Sequence, residues 1–460
     1  MPSPLPIDSF SAAGGAEERL SMRRVFRLWL PLAASWLCMG FELPLFTAFV
    51  ARMQNEEINL AAFGGVVFPL ALVIEAPIIM LLAASAALAK DRDAYDKLKR
   101  FANSAGLVLT IVHMLVAFTP LFDLIVDGVF DVQTEVRDAA RIGMRIMTPW
   151  TWAIAYRRFQ QGVLIRFDRS RGVAIGTLLR LGTVLCVLFL GYQTHRFSGI
   201  VLGTMAIAIG VTVEALFSGA CVRPILRSLM PAEPKGERLT LSAFLSFYLP
   251  LALTPLLTLL VPPIGTAAMS RMPKELASLA AWPAVHGLVF LTRSTGFALN
   301  EVVVTQIGSP GGPRILWRFC CWLAAATMGI LLLLGLTPLA DLWFRDVSDL
   351  SPAVYTLATG ATALAVIMPG NQAFQSYYQG ALVHAKHTRP ITVSVAIYLV
   401  VAALLLAVGV ALGSVPGILW TIPVLSFAGL CQTGWLALSS REVLRDLRKK
   451  DDAGSPHPQG

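Results

Sequence analysis

Leu30-Pro31-Leu32-Ala33 and Leu249-Pro250-Leu251-Ala252 are two copies of one motif, 219 positions apart in a chain of 460 residues. This motif and three further matches, given below, lie in a single register across two helix-length apolar runs. They indicate that the chain is duplicated. An internal repeat in a hydrophobic protein predicts two related halves with a site between them. The same offset also aligns Pro44 with Pro263, Arg52-Met53 with Arg271-Met272, and Leu60-Ala61-Ala62 with Leu279-Ala280-Ala281.

The composition is that of a membrane protein rather than a soluble domain. Mean hydropathy is +0.67, hydrophobic residues make up 56% and charged residues only 14%. A helix needs about 20 apolar residues to cross the bilayer core, and twelve stretches meet this length. The predicted fold is therefore an all-α polytopic membrane protein with twelve transmembrane helices in two six-helix, pseudo-symmetric lobes. The predicted helices 1 to 12 lie at 28–50, 60–88, 102–121, 141–165, 173–192, 199–222, 243–268, 277–304, 316–338, 352–382, 390–412 and 417–439.

Prolines occur inside several of these predicted helices. Each removes a backbone hydrogen bond, which membrane helices tolerate where neighbours or cavity water satisfy the freed group. The resulting breaks are either hinges or packing kinks. The prolines are Pro44, Pro69, Pro77, Pro149, Pro250, Pro263 and Pro369.

Lys and Arg are concentrated on one side of the predicted helices, whereas the opposite loops carry acids such as Asp123 and Asp127. The positive-inside rule then predicts that both termini lie in the cytoplasm, in a membrane of the bacterial inner-membrane type. The net charge of +9 reflects this asymmetry. It favours anionic lipid headgroups as partners and needs no nucleic acid.

The segments outside the helices are short. Residues 1–22 lack the pattern of a signal peptide and predict a disordered cytoplasmic tail. We expect an N-lobe over 23–228, a cytoplasmic linker over 229–241, a C-lobe over 242–440 and a C-terminal tail over 441–460. The six cysteines have no metal-ligand spacing, so the sequence predicts neither a metal site nor a cofactor.

A second repeat block supports the first. Gln161-Gly162-Val163-Leu164 in helix 4 matches Gln379-Gly380-Ala381-Leu382 in helix 10 at an offset of 218. Helices 1, 2 and 4 thus correspond to helices 7, 8 and 10. Because each half has an even number of spans, the halves share one topology, and the axis between them should follow the membrane normal.

These motifs resemble the MOP flippase superfamily, which comprises multidrug and toxin extrusion transporters, polysaccharide-lipid flippases and progressive ankylosis proteins. The resemblance rests on the Pro-Leu start of helix 1, on Leu60 to Gly64, and on Gln-Gly-x-Leu before a basic loop. It implies a V-shaped, MATE-like pair of lobes. The stretch from Tyr248 to Arg271 is most similar to the progressive ankylosis branch, whose members are associated with export of pyrophosphate, nucleotides or citrate-like anions.

Other classes fit less well. The major facilitator fold usually carries a Gly-rich, charged turn after helix 2, but the turn here, from Lys90 to Tyr95, has no glycine. No Gly-rich phosphate loop is present to bind ATP. His113 has no second ligand at metal spacing and fits a buried core residue. We therefore expect neither an enzyme nor a catalytic residue.

Two carboxylates interrupt the predicted spans of the first half. Glu42 lies in helix 1 and Glu75 in helix 2, where ionisable groups are costly and usually face a cavity or a partner. An acid in helix 1 resembles the proton-linked extrusion transporters and predicts a coupling site. The alternative is a buried glutamate satisfied by neighbouring polar groups. Helices 7 and 10 contain no acid, so the sodium-type pattern of the superfamily is missing.

Cationic and amide side chains recur at helical spacing and predict a wet, anion-binding cleft. Arginine guanidinium groups match carboxylate and phosphate oxygens. The alternative explanation of the amides is that they only join helices by hydrogen bonds. The predicted substrate-binding residues are Arg157, Arg158 and Gln161 in helix 4, His286, Arg293 and Asn300 in helix 8, and Gln372, Gln375 and Gln379 in helix 10.

The predicted function is a secondary-active exporter of a small organic or phosphate-bearing anion. There are two alternatives. One is a flippase for a lipid-linked glycan, which is an amphiphilic substrate, and the other is a proton-coupled extruder of cationic drugs. One hypothesis pairs Glu75 with Arg293 across the cleft as a gate. Arg145, Arg180 and Glu214 receive no role, and a monomer is expected.

Overall fold

The computed structural model describes residues 19–233 and 239–453. Within them, every long segment is helical, and each predicted span has a helical counterpart. Helices 1 to 6 are Met22–Gly40 with Glu42–Val50, Glu56–Ala61 through Leu81–Leu88, Arg92–Phe118, Thr134–Ile146 with Thr148–Arg166, Ser170–Thr194 and Gly199–Ser228. Helices 7 to 12 are Leu241–Leu259 with Val261–Met269, Glu275–Gln306, Gly312–Leu336, Pro352–Leu364 with Ile367–His384, Arg389–Leu412 and Gly417–Ser439.

The backbone repeats together with the sequence. Helix 4 opens with Thr134–Ile146 and helix 10 with Pro352–Leu364, and both ends of these segments differ by 218 positions. Residues with a left-handed backbone conformation also occur in pairs at 218 or 219. Such conformations are uncommon outside glycine, so their pairing reflects one loop geometry used twice. The pairs are Asn55 and Lys274, Asp131 and Asp349, Asp168 and Lys386, and His195 and Gly413.

Helices 1 and 7 break at equivalent points. Pro44 has no N–H to donate to the carbonyl of Gly40, and Pro263 likewise cannot donate to Leu259. Helix 1 is accordingly interrupted at Phe41 and helix 7 at Leu260. Each of these spans is therefore two rigid segments joined by a bend.

By length and composition, ten helices of the described chain could cross a membrane, or eleven when the two parts of helix 10, bent by 41°, are taken as one span. Helix 4 is the remaining predicted span, and it is too polar to qualify alone. Its polar residues Arg157, Gln160 and Gln161 are buried within the protein rather than exposed to lipid. The chain is thus a multi-pass membrane protein, and neighbouring helices shield the polar side chains of helix 4.

The two lobes meet along a pseudo-twofold axis between helices 2 and 8. A Cβ atom on Gly64 would lie 2.6 Å from Cδ of Pro283, which is its repeat equivalent, so glycine is required for this approach. The first half of helix 1 leans onto the C-lobe, where Trp29 donates to the carbonyl of Thr295. Helix 7 leans onto the N-lobe in the same way, and Tyr248 donates to the carbonyl of Pro77. The lobe boundary therefore cuts through helices 1 and 7.

At the end of the bundle opposite both termini, two arginines join the lobes reciprocally. Arg52 of the N-lobe donates to the carbonyls of Asp346 and Val347, at 2.9 and 2.8 Å. Arg271, its equivalent in the C-lobe, donates to the carbonyls of Gly128 and Val129, at 3.1 and 2.6 Å. Guanidinium groups suit such carbonyls, which lie at the C-terminal ends of the short helices Val126–Phe130 and Leu342–Val347. We call this pair of contacts the arginine latch.

A second reciprocal pair reinforces the latch. Glu57 accepts a hydrogen bond from Ser351 at 2.5 Å, and Glu275, the repeat equivalent of the neighbouring Glu56, accepts one from Gln133 at 2.6 Å. The lobes are thus joined at the latch end by the two equivalent arginines and by one glutamate from each lobe.

The chain ends differ from the predicted tails. Residues 1–18 of the predicted 1–22 tail lie outside the described residues, but Leu20 is buried and donates its N–H to the carbonyl of Pro310. The 441–460 tail contains a helix, Arg441–Ala453, called here the C-terminal helix. In the predicted linker 229–241, Pro231 accepts from the N–H of Arg92, and residues 234–238 lie outside the described residues.

Candidate functional site

A buried carboxylate organises the interior of the N-lobe. Glu214 of helix 6 has no solvent-accessible surface and accepts hydrogen bonds from three side chains on helices 4 and 5. Arg157 donates to Oε2 at 2.6 Å, while Gln161 and Thr177 donate to Oε1 at 3.1 and 3.3 Å. A buried charge of this kind is tolerated only when its partners satisfy it.

Arg180 of helix 5 extends this cluster to helix 1. Its Nη1 lies 3.6 Å from Oε2 of Glu214, and its Nη2 lies 3.1 Å from Oε2 of Glu42. Glu42 is the first residue after the break in helix 1, and its Oε1 is buried without a hydrogen-bond partner. The predicted coupling residue therefore lies at the bend and is connected through Arg180 to the lobe interior. We call Glu42, Arg157, Arg180 and Glu214 the charged cluster.

Glu75 is the other predicted acid, and it is also buried. It ends an α-helical part of helix 2, just before the 3-10 turn Ala76–Ile78, and its Oε2 has no partner. Among the described residues Glu75 forms no ion pair within 4.0 Å, so the hypothesised pair with Arg293 is not formed in this conformation. Arg158 is half-buried, and its Nε also lacks a partner.

In the C-lobe, Arg293 occupies the interior without a carboxylate. Its Nη2 donates to Oε1 of Gln372 at 2.8 Å, and its guanidinium lies 5.9 Å from the ring centre of Phe297. The Nε atom is buried and unpartnered. Within the described chain no acidic oxygen lies within 4.0 Å of this cation. Two predicted binding residues, one on helix 8 and one on helix 10, thus contact each other, and the positive charge of Arg293 stays uncompensated.

The remaining predicted residues do not all face one cavity. Gln375 donates to the carbonyl of Gly429 and to Gln432, both on helix 12, so it points away from Arg293. Asn300 donates to the carbonyl of Ser376 at 3.2 Å. The predicted binding residues of helix 10 therefore contact two different helices: Gln372 contacts helix 8 and Gln375 contacts helix 12. These contacts are interhelical hydrogen bonds of the kind expected if the amides only join helices.

Two predicted residues stay apart from these contacts. His286 stacks on Trp282, with ring centres 5.2 Å apart, and its Nδ1 has no partner. Gln379 is half-buried, and its side chain forms no hydrogen bond to another described residue. His113 matches the core reading, since its ring nitrogens contact Thr151 and the carbonyl of Met144.

Arg180 and Glu214 are the residues that the sequence reasoning missed. The repeat offset gives a signal for Glu214 but none for Arg180, because position 432 corresponds to Glu214 and position 375 to Arg157. Those positions hold Gln432 and Gln375, which form the equivalent hydrogen bond at 3.1 Å. Both halves have this interhelical contact, but only the N-lobe version is charged, and this difference distinguishes Arg157 and Glu214. In the described part of the chain, no group of three His, Cys, Asp or Glu side chains is placed to hold a metal ion.

Together, the fold and these buried charges define a polytopic membrane protein of two related six-helix lobes. No protein-family model matches the chain, and no curated protein matches it either. Solved structures are similar over almost the whole length. An inward-facing MATE-family multidrug resistance transporter of the MOP superfamily has a TM-score of 0.69 at 14% identity, covering 92% of this chain and 99% of that one.

Two further structures extend this similarity. The lipid II flippase MurJ, in an inward closed conformation, gives a TM-score of 0.64 at 14% identity and covers 93% of this chain and 91% of its own. A MOP superfamily transporter from Pyrococcus furiosus gives 0.60 at 15% identity, with coverages of 94% and 100%. The chain therefore has the fold of the MOP superfamily. The predicted resemblance is confirmed at this level, the major facilitator alternative is set aside, and the progressive ankylosis branch stays a prediction.

Proposed function

We propose that this protein is a secondary-active exporter that works by alternating access and carries a small organic or phosphate-bearing anion. The observation that carries the proposal is Arg293, a cation inside the spanning region with a single neutral hydrogen-bond partner, Gln372. Arg293 is half-buried with its Nε atom buried, and a charge inside a membrane span without a counter-charge is costly. An anionic substrate would supply the missing counter-charge.

The neighbourhood of Arg293 suits such a cargo. The guanidinium still has free donors, since only Nη2 forms a hydrogen bond and Nε is unpartnered. These donors can bind two oxygens of a carboxylate or phosphate at once. A cationic drug would be repelled by the same charge, which argues against the multidrug alternative.

Coupling is assigned to Glu42 and the charged cluster. A proton on Glu42 removes its negative charge and with it the ion pair to Arg180, which then keeps only Glu214 as a partner. Because Glu42 follows the break of helix 1, this change acts where the two halves of the helix can move relative to each other. With the termini in the cytoplasm, as the positive-inside rule predicts, the latch end faces outward and export runs toward it.

The test is uptake of labelled anions and labelled cations into proteoliposomes, with and without a pH gradient. Replacement of Arg293 by glutamine should lower anion uptake at limiting concentration by at least about tenfold, because a charge-assisted hydrogen bond of about 1.5–3 kcal/mol is lost.

The control is Arg145→Gln, which removes an arginine from helix 4 that contacts the carbonyl of Ala117 and lies over the ring of Phe118. This variant should transport normally. Cation uptake that persists in Arg293→Ala, with no anion uptake in the parent protein, would contradict the proposal.

A further inference from the structure

The C-terminal helix has two different faces. Leu444 is buried and Leu447 half-buried against helices 9 and 10. The basic residues of the helix are exposed instead. Helix 12 ends at Ser439 and this helix begins at Arg441, so its cations lie where a membrane span leaves the bilayer. Basic residues at this depth are placed to meet lipid headgroups.

A cleft of about 510 Å³ lies between the C-terminal helix and the ends of helices 9 and 10. No acid lines it, and among the described residues none of its cations forms an ion pair within 4.0 Å. The hydroxyl of Tyr377 is already used, because it donates to the carbonyl of Pro313. The cleft is therefore lined by positively charged side chains and by aromatic rings. Its cations are Arg441, Arg445, Arg448 and Lys449, and its aromatic residues are Trp317, Tyr377 and Tyr378.

An apolar groove of about 480 Å³ continues from this cleft along helices 9 and 10. Trp317 connects the two, since it lines the cleft, precedes Cys321 of the groove by one helical turn, and contacts Phe374 of the groove at 5.6 Å between ring centres. Ala324, Ala325 and Gly329 keep the groove open. A charged cleft and an apolar groove thus lie end to end.

We propose that this surface binds an anionic phospholipid, with the headgroup phosphate among the arginines and an acyl chain in the groove. Phosphate oxygens are the acceptors that arginine forks match best. A free phosphate would use the cleft but gain nothing from the groove, whereas a lipid uses both. The site lies on the outer face of the C-lobe, away from Arg293 and the charged cluster, and so does not depend on the proposed transport function.

The headgroup part is tested by binding of labelled phosphatidylglycerol to the full-length protein in detergent, with phosphatidylcholine for comparison. Arg441→Gln/Arg445→Gln should weaken phosphatidylglycerol binding about thirtyfold, because each basic residue near a headgroup contributes about fivefold. The matched control is Arg223→Gln/Arg227→Gln, the repeat-equivalent exposed pair at the end of helix 6. Equal loss in both variants, or none in either, would overturn the proposal.

The groove part distinguishes a lipid from a free phosphate. A Cβ atom on Gly329 meets nothing within 4 Å, so Gly329→Leu fits the fold and fills the groove. This variant should weaken the binding of phosphatidylglycerol at least tenfold and leave the binding of glycerol phosphate unchanged. Gly182→Leu is the control, because Gly182 on helix 5 also has open space around it. Glycerol phosphate that displaces the lipid at equal concentration, or lipid binding unchanged in Gly329→Leu, would refute the lipid site.

Discussion

Helices 4 and 6 of the N-lobe contact each other as helices 10 and 12 of the C-lobe do, but with different chemistry. In the N-lobe Arg157 donates to Glu214 at 2.6 Å. In the C-lobe the equivalent residues Gln375 and Gln432 are joined at 3.1 Å. The two pairs are buried to a similar degree and link the same helices, so one is a neutral version of the other.

The difference separates folding from function. The C-lobe shows that two amides are sufficient to join these helices, and buried ion pairs are often no more stabilising than neutral replacements. The charges of the N-lobe are therefore not needed for the fold. Arg180 and Glu42 have Tyr398 and Val261 as equivalents, so this part of the cluster is also absent from the C-lobe. We infer that the N-lobe carries coupling and that the C-lobe carries the uncompensated Arg293.

The largest expected effect comes from leaving the N-lobe arginines without their shared acid. Glu214→Gln removes the negative charge between Arg157 and Arg180, and an uncompensated buried charge costs about 3–5 kcal/mol. The midpoint of thermal unfolding of the purified protein should fall strongly.

The double variant Arg157→Gln/Glu214→Gln copies the C-lobe pair and is the control. It should recover most of the lost stability, because the charges leave together, while transport stays low. A double variant as unstable as the single one would contradict the view that the two pairs are interchangeable for folding.

A smaller effect is expected at the arginine latch, where the lobes do not differ. Arg52→Gln and Arg271→Gln each remove equivalent hydrogen bonds to carbonyls of the opposite lobe. These bonds are exposed, so each variant should lose about 1–2 kcal/mol of the closed state and shift the closed-to-open ratio by about tenfold.

The measurement for the latch is the distance between spin labels at Glu135 and Ala353, which are repeat equivalents in the two lobes. The labels are placed in a protein without its six native cysteines. Both variants should raise the population of the longer distance to the same extent. An effect of only one arginine would contradict a symmetric latch.

The smallest effect is expected in the C-lobe pair. Gln432→Leu removes one acceptor of Gln375 and the long hydrogen bond, 3.4 Å, from Gln432 to Oγ of Ser394. The amide of Gln375 still donates to the carbonyl of Gly429 at 3.3 Å. Thermal unfolding should therefore change by only about 1 kcal/mol, as for a neutral hydrogen bond. A loss as large as that of Glu214→Gln would remove the distinction between the lobes.

Most of the fold could be predicted from the sequence, because hydrophobic length and the repeat depend on local residues. The offset that aligned Pro44 with Pro263 also gave the positions of the helix breaks. The C-terminal helix was missed, since its charged residues looked like those of a tail. Only the packing of Leu444 and Leu447 against the C-lobe distinguishes it.

The site could be predicted less well. Glu42, Arg157 and Gln161 stood out because charged and amide groups in apolar helices are conspicuous, but Arg157 and Gln161 were expected to bind substrate, whereas both donate to Glu214. The partners Arg180 and Glu214 depend on the packing of three helices, which sequence spacing does not give. The role of Arg52 was also hidden, because its partners are backbone carbonyls almost 300 positions away, at Asp346 and Val347.

Proton coupling through the charged cluster of the N-lobe is tested with Glu42→Gln in proteoliposomes under an imposed pH gradient. This variant should lose gradient-driven accumulation of the anion but still exchange labelled for unlabelled substrate when no gradient is present. Accumulation equal to that of the parent protein would contradict it.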